Sequence, residues 1–556
     1  MKHCQDKSGI MTSQNESWSK MTIPEMLEAS VRKYPDHEAV VYGDTRVTFI
    51  QLKELVNIAI EGFLSLGVVP GDHVAFILGN YPDFVWLQYA VIFIGAKVIP
   101  INVSLKADEI KFILQKTDVS TLIIMDQFRG IDYLSILEQI TPKYGKDEPG
   151  KLNDPSLPRL KNIVIYSQKG IDFPNAYTVD EIMKLKSCSR PLPKLNPDDY
   201  AYIMYTSGTT AFPKGSMQSH RAILGGGYYY GKGIELTSDD RYLCVSPFFH
   251  IGGLISGLFS CQVHGVTLHL TEFFQADEAA QIIAREKITA AWGLGIMFLR
   301  IMESAQKLGL DISSLKKALI PTGGNTFERV FKELKIKVAS NAFGMTEATG
   351  VISITMPDDP HWDKRRDSQG KPLPGIEIRI VDHETRKPLG RNEIGEICFR
   401  GWNKFMGYYN MPEETAAATD DQGFFYTGDM GYFDEEGYLY WSGRYKYIVK
   451  TGGENVSQEE VERFLEDKTP WVKRAGVVGI RDPRWGEAVT AIVELKPGKV
   501  VTAEEIRSYM KGKLADFKIP KHIIFIDRNE WPLRPTKKLD KMELRDMAIR
   551  NLGIGL

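Results

Sequence analysis

The chain has 556 residues, is 43% hydrophobic and 25% charged, and carries a formal net charge of −2 at pH 7. This is the balance of a soluble globular protein with several structural units, and it offers no basic footprint for nucleic acid. Five cysteines, Cys4, Cys188, Cys244, Cys261 and Cys398, are odd in number and lack metal-ligand spacing, which reads as a reduced, cytoplasmic protein.

The first twenty residues contain no apolar core of a signal peptide. The longest apolar run, Phe84 to Ile99, is interrupted by Gln88, Gly95 and Lys97 and followed by Pro100. A membrane span needs about 20 cleaner residues. The run reads instead as a buried helix, Asp83–Ile94, a turn at Gly95, and a strand through Ile101. Val74–Asn80, Thr121–Asp126, Leu160–Tyr166, Tyr200–Tyr205 and Leu315–Gly324 read as strands, or strands opening into loops, between helical patterns. That alternation predicts α/β layers with parallel sheets, whose ligands sit beyond the strand C-termini. After about Val351 the pattern becomes β-rich, with strands over Ile376–Asp382, Gly395–Gly401 and Tyr438–Arg444. A small α+β unit follows: a helix over Ser457–Asp467, started by a Ser457/Glu460 capping box, a strand over Ala475–Ile480 and a helix over Thr502–Leu514. The boundary is placed at Gly443-Arg444. This gives an N-terminal domain of residues 1–444 and a small C-terminal domain of residues 445–556.

The stretch YTSGTTAFPKGS, Tyr205 to Ser216, follows one of these strands. Its hydroxyls and lysine suit phosphate oxygens. It is not a Walker loop, because Pro213 stands where the second glycine belongs and supplies no N–H. A solvated Ser/Thr turn would have the same composition. The other segments decide between the two. YTSGTTxxPKG, NAFGMTE (Asn341–Glu347), YTGD (Tyr426–Asp429), GRYKYIVKTGGENVSQEEVE (Gly443–Glu462) and WPLRPTKKLDK (Trp531–Lys541) together resemble the motifs of the adenylate-forming superfamily, in its acyl-CoA synthetase branch. The resemblance covers about Thr22 to the C-terminus.

That resemblance implies roles residue by residue. Thr206, Ser207, Gly208, Thr209, Thr210 and Lys214 would cradle the ATP phosphates. Phe343 and Gly344 would face adenine. Thr346 would donate to phosphate, and Glu347, with Thr206, would hold Mg²⁺, a cation that prefers oxygen ligands. Asp429 would accept from the ribose hydroxyls with Arg444 beside it. Lys538 would bridge the substrate carboxylate and the α-phosphate. Lys446 would be the hinge of the lid, and Lys450 and Gly453 would serve the coenzyme A step. The substrate pocket would draw on His250, Trp292, Gly323, Asn325 and Gly344. Trp292, Met297 and Phe298 favour an apolar acid, and Gly293 and Gly295 would leave room for a bulky group. The expected acids are medium-chain, branched or alicyclic/aromatic. Three positions depart from the family pattern: Ala211 and Lys537, each in place of a glycine, and Tyr447 in place of an acid. An adenylate-forming enzyme with another acceptor, a luciferase-like oxidation and a non-catalytic nucleotide binder share these motifs.

Overall fold

The computed structural model of the chain describes residues 17–169, 173, 175–187, 190–206, 213–444, 448–527, 530–532 and 539–554. It divides into two compact units. The larger comprises Met1–Val103, Leu114–Met204 and Gly215–Gly443; the smaller comprises Arg444–Leu556 with Ser104–Ile113 and Tyr205–Lys214.

Two seven-stranded sheets form the body of the larger unit. In the first, His73–Ile77 lies between Lys97–Pro100 and Thr121–Met125, with Asn162–Tyr166 and Tyr200–Thr206 farther out, all parallel. The expected buried helix is Pro82–Ile94. Every residue in it except Asp83 is buried, as befits a helix apolar on all sides. It stops at Gly95, whose φ of +84° is a left-handed cap that a glycine adopts without strain. The chain then enters Lys97–Pro100, as the residue pattern predicts.

The second sheet runs in the order Val338–Ser340, Lys317–Leu319, Ala290–Trp292, Arg241–Cys244, Thr267–Leu270, Glu38–Tyr42 and Thr45–Thr48. All its pairings are parallel except the last. Short strands suffice because both faces are covered. Leu243, Ile283, Phe298, Ala318 and Phe327 lock this sheet to its helices in one buried cluster. Of the predicted strand Leu315–Gly324 only Lys317–Leu319 is extended; Leu315 and Lys316 lead into it, and loop and helix start follow it.

The β-rich character after Val351 is real. Ile376–Val381, Gly395–Gly401, Phe425–Phe433 and Leu439–Arg444 form a four-stranded sheet, and Ala342–Met345, Gly350–Ile354 and Lys371–Pro372 a three-stranded one.

In the smaller unit, Ile448–Thr451 pairs with Glu454–Ser457, Val472–Asp482 pairs with Gly486–Leu495, and His522–Phe525 lies parallel to the latter. The helix after Ser457 is shorter than expected: regular α structure covers Gln458–Arg463, and Phe464–Lys468 continues in wider π turns. Only half of the expected capping box is made. The Ser457 hydroxyl accepts from the Glu460 N–H, while the Glu460 carboxylate takes the Lys518 ammonium at 2.8 Å. A complete box is formed instead by Thr502 and Glu505, which start the helix Ala503–Met510. Among the described residues no helix is long and apolar enough to cross a membrane. Cys244, Cys261 and Cys398 are free and buried; Cys4 and Cys188 lie outside the described residues.

Candidate active site

Thr206 ends the strand Tyr200–Thr206 and Lys214 opens the strand Lys214–Ser219. The Thr206 hydroxyl donates to the Lys214 carbonyl at 3.5 Å, so the two ends of the loop meet. The crest of the loop, Ser207, Gly208, Thr209, Thr210 and Ala211, lies outside the described residues.

The strand leaving the loop is tied to two other segments. Its Gly215 and Met217 exchange backbone hydrogen bonds with Met406, Gly407 and Tyr409. Its Gln218, fully buried, donates to the Thr346 carbonyl at 2.9 Å and to the Ser216 hydroxyl at 2.8 Å, and accepts from the Thr349 hydroxyl. The single turn Thr346–Ala348 is thereby fastened to the strand. Glu347 in that turn is 8% exposed. Its Oε1 accepts from the Tyr408 hydroxyl at 2.9 Å, and its carbonyl from the Phe405 N–H. Gln218 and Tyr408 hold this turn, and sequence reasoning singled out neither. A glutamine at an inward position of KGSMQS was the available signal for the first; nothing local marks Tyr408.

Phe343 and Gly344 precede this turn. Phe343 is buried. At Gly344 an added Cβ would lie 1.5 Å from the Gly350 carbonyl oxygen, so the two strands meet backbone to backbone and only glycine fits. The pairing slips there, between Phe343 and Gly344.

Gly323 is the N-cap of the helix Gly324–Glu333, and an added Cβ would lie 3.3 Å from the Arg366 carbonyl oxygen. Asn325 is exposed in its first turn. At Gly252, two residues past His250, an added Cβ would lie 2.8 Å from the Trp292 ring; the predicted acyl residues His250 and Trp292 therefore belong to one neighbourhood. The Phe249 and His250 rings are 4.8 Å apart. Trp292, Met297 and Phe298 pack against Val245, Ile283 and Leu315 at the edge of the buried cluster, with no void between them that would admit a water molecule. The expectation that Gly293 and Gly295 leave room for substrate is overturned. A Cβ on Gly295 would fall 2.4 Å from the Thr326 methyl, and one on Gly293 3.3 Å from the Phe298 ring. Both glycines are used to pack the protein against itself.

Asp429 lies in the strand Phe425–Phe433 and is 1% exposed. The turn that delivers it is fixed at three points. Gly428, at φ +71°, donates its N–H to Glu396 Oε1 at 2.9 Å. The Thr427 hydroxyl accepts from the Asp429 N–H at 3.0 Å and donates to the Ile397 carbonyl at 2.7 Å. The Trp441 indole N–H donates to Asp429 Oδ1 at 2.9 Å. Glu396, itself buried, also takes His383 and Arg386. Neither Glu396 nor Trp441 was singled out by sequence reasoning. Arg444 ends the strand Leu439–Arg444.

In the smaller unit Lys450 is an exposed residue of the strand Ile448–Thr451, its N–H donated to Glu487. Gly452 and Gly453 have φ of +60° and +89° and make the two-residue hairpin turn that follows. That turn needs left-handed backbone at both positions, so Gly453 has a conformational reason to be glycine. Lys446, Tyr447, Lys537 and Lys538 lie outside the described residues.

The donor set suits a nucleotide with a divalent cation. Among the described residues no three His, Cys, Asp or Glu side chains converge on a metal position. Glu347 offers a single carboxylate. Mg²⁺ is commonly held in this way, by one or two carboxylates, substrate phosphates and water.

Comparison with known proteins agrees with this geometry. Residues 27–409 match the model of the AMP-binding enzyme family, and residues 460–538 match its C-terminal domain. The mitochondrial medium-chain acyl-CoA ligase of Homo sapiens is 31% identical over 550 residues, covering 96% of this chain and 88% of that protein. A Rhodococcus jostii CoA ligase, named for a propanoyl group on a methyl-dioxo-octahydroindene bicycle, is 32% identical over 536 residues, covering 94% and 98%. Among solved structures, o-succinylbenzoate CoA synthetase of Bacillus subtilis, bound to a product analogue, superposes with a TM-score of 0.77 at 27% identity, covering 94% of this chain and 98% of that one. The chain belongs to the AMP-binding enzyme family, in its branch of AMP-forming acyl-CoA ligases.

Proposed function

We propose that the chain joins a medium-chain, branched or alicyclic/aromatic carboxylic acid to coenzyme A in two steps. In the first, the carboxylate attacks the α-phosphorus of ATP, giving acyl-AMP and releasing pyrophosphate. In the second, the coenzyme A thiol attacks the acyl carbon, giving the thioester and releasing AMP. The observation that carries this reading is the Thr346–Glu347 turn, held by Gln218 and Tyr408 to the strand that leaves the hydroxyl-rich loop. It fixes the backbone of the turn and the Glu347 carboxylate before substrate arrives, and preorganised polar groups are the main resource for a reaction that brings anions together.

In this reading Thr206, Ser207, Gly208, Thr209, Thr210 and Lys214 bind the β- and γ-phosphates, and Thr346 donates to the α-phosphate. Glu347 and Thr206 would hold Mg²⁺, which when bound would offset phosphate charge. Phe343 and Gly344 take the adenine, and Asp429 with Arg444 the ribose. Lys538 balances the charge on the reacting carboxylate and α-phosphate. Residues 445–556 act as a lid that turns about Lys446 between the steps, after which Lys450 and Gly453 admit the pantetheine arm. The medium-chain and bicyclic acids in the names of the two relatives support an apolar acid. With Gly293 and Gly295 filled by Phe298 and Thr326, unbranched medium-chain acids stand first.

The test is product analysis over a panel of C6–C14, branched, alicyclic and aromatic acids, with and without coenzyme A. AMP, pyrophosphate and thioester in equal amounts are expected. ADP and phosphate would refute the reaction class. Pyrophosphate release without thioester would point to another acceptor.

A further inference from the structure

Asp429 is almost fully buried, whereas Trp441, which holds it, is 38% exposed. An indole with a third of its ring in water is poorly used as core. Its N–H, by contrast, is placed on a buried carboxylate oxygen at 2.9 Å, and a buried carboxylate needs such donors to offset its lost hydration.

The donor is held firmly. The Trp441 backbone N–H is given to Gln369 Oε1 at 2.6 Å, and the Gln369 N–H to the Leu439 carbonyl at 2.8 Å. The neighbouring Tyr440 stacks on Tyr432 of the adjacent strand, with ring centroids 5.0 Å apart and planes 7° from parallel. On the other side, Glu396 and Thr427 fix the backbone on which Asp429 stands. The backbone bonds place the Asp429 Cα, and the indole bond acts on the carboxylate itself. A carboxylate accepts several donors at once, so a fixed N–H on Oδ1 is compatible with hydroxyl donors arriving from a ligand.

We propose that Trp441 is a positioning residue of the nucleotide subsite. By orienting Asp429 it tunes selectivity for nucleotides that carry ribose hydroxyls. This rests on the assignment of Asp429 to the ribose made above.

The experiment measures the dissociation constants of AMP and 2′,3′-dideoxy-AMP by calorimetry on the full chain. Five forms are compared: wild type, Trp441→Phe, a form with 3-benzothienylalanine at position 441, in which sulfur replaces the N–H in a ring of the same shape, Asp429→Asn, and the double variant Trp441→Phe/Asp429→Asn. The expected result is a preference for AMP that falls roughly fivefold or more in both position-441 forms. The fall comes from weaker AMP binding, with dideoxy-AMP unchanged. Trp441→Phe added to Asp429→Asn should change the preference no further. An unchanged preference in the two position-441 forms, or equal weakening of both nucleotides, would make Trp441 purely structural and overturn the inference. If Asp429→Asn leaves the wild-type preference intact, the ribose assignment itself falls and the inference with it.

Discussion

Gln218→Met removes an amide while keeping most of the side-chain volume, so its effect reports hydrogen bonds and not a cavity. Three bonds are lost, to the Thr346 carbonyl, the Ser216 hydroxyl and from the Thr349 hydroxyl. Ser216 and Thr349 are fully buried, so water is a poor replacement partner. At about 1 kcal/mol per bond, with a further cost for buried groups left unpaired, the larger unit should lose roughly 2–4 kcal/mol. The same change frees the Thr346–Ala348 turn from the strand and leaves it fastened through Glu347, to Tyr408 and Phe405. Urea unfolding followed by fluorescence reads the first effect, and ATP–pyrophosphate exchange the second. We expect kcat/KM for ATP to fall about tenfold or more, while attack of coenzyme A on supplied acyl-AMP is much less affected. A lowered urea midpoint with normal exchange would show that the turn does not serve the nucleotide. An unchanged midpoint would show that the network does not contribute as described.

Gly344→Ala forces a Cβ to within 1.5 Å of the Gly350 oxygen; the strands must part, and exchange activity should be lost together with several °C of thermal stability, as a melting scan and an exchange assay would read. Lys538→Ala should abolish acyl-AMP formation and leave the thioester step from supplied acyl-AMP largely intact, whereas Gly453→Asn, which tolerates φ of +89°, should slow only the thioester step; equal damage to both steps by either variant would contradict the division of labour. Burial pushes the Asp83 carboxyl up from 3.8 to about 6. Between those values the folded chain holds a proton that the unfolded chain has released, so stability falls as pH rises through that window. Asp83→Asn should therefore stabilise the protein at pH 7.5, by up to roughly 3 kcal/mol, and bring no gain near pH 3.5, which urea midpoints at the two pH values would show.

The groups that touch substrate in this account were legible because each lies in a short contiguous motif. Thr206 and Lys214 flank one loop, Phe343 to Glu347 run along one short strand into the turn that follows it, and Asp429 closes YTGD. The groups that hold them were not legible, because their partners are remote in the chain: Gln218 and Thr346 are 128 residues apart, and Tyr408 and Glu347 are 61 apart. Trp441 lies only 12 residues from Asp429, yet its role depends on two adjacent strands that no local pattern pairs. Gly293 and Gly295 were misread as open space for the same reason: a missing side chain does not say whether a ligand, Phe298 or Thr326 occupies its place. Glu460 shows how a local rule yields to a tertiary one, since Lys518 takes the carboxylate that a capping box would have used.

The central claim is that the acid is activated as its adenylate. The most direct measurement uses a carboxylic acid from the panel with ¹⁸O in both carboxylate oxygens and follows the label by mass spectrometry in a complete reaction with ATP and coenzyme A. The account predicts one ¹⁸O in AMP and none in pyrophosphate, because the carboxylate oxygen that attacks the α-phosphorus stays with AMP when the thiol displaces it. Label in inorganic phosphate, or unlabelled AMP beside labelled thioester, would contradict it.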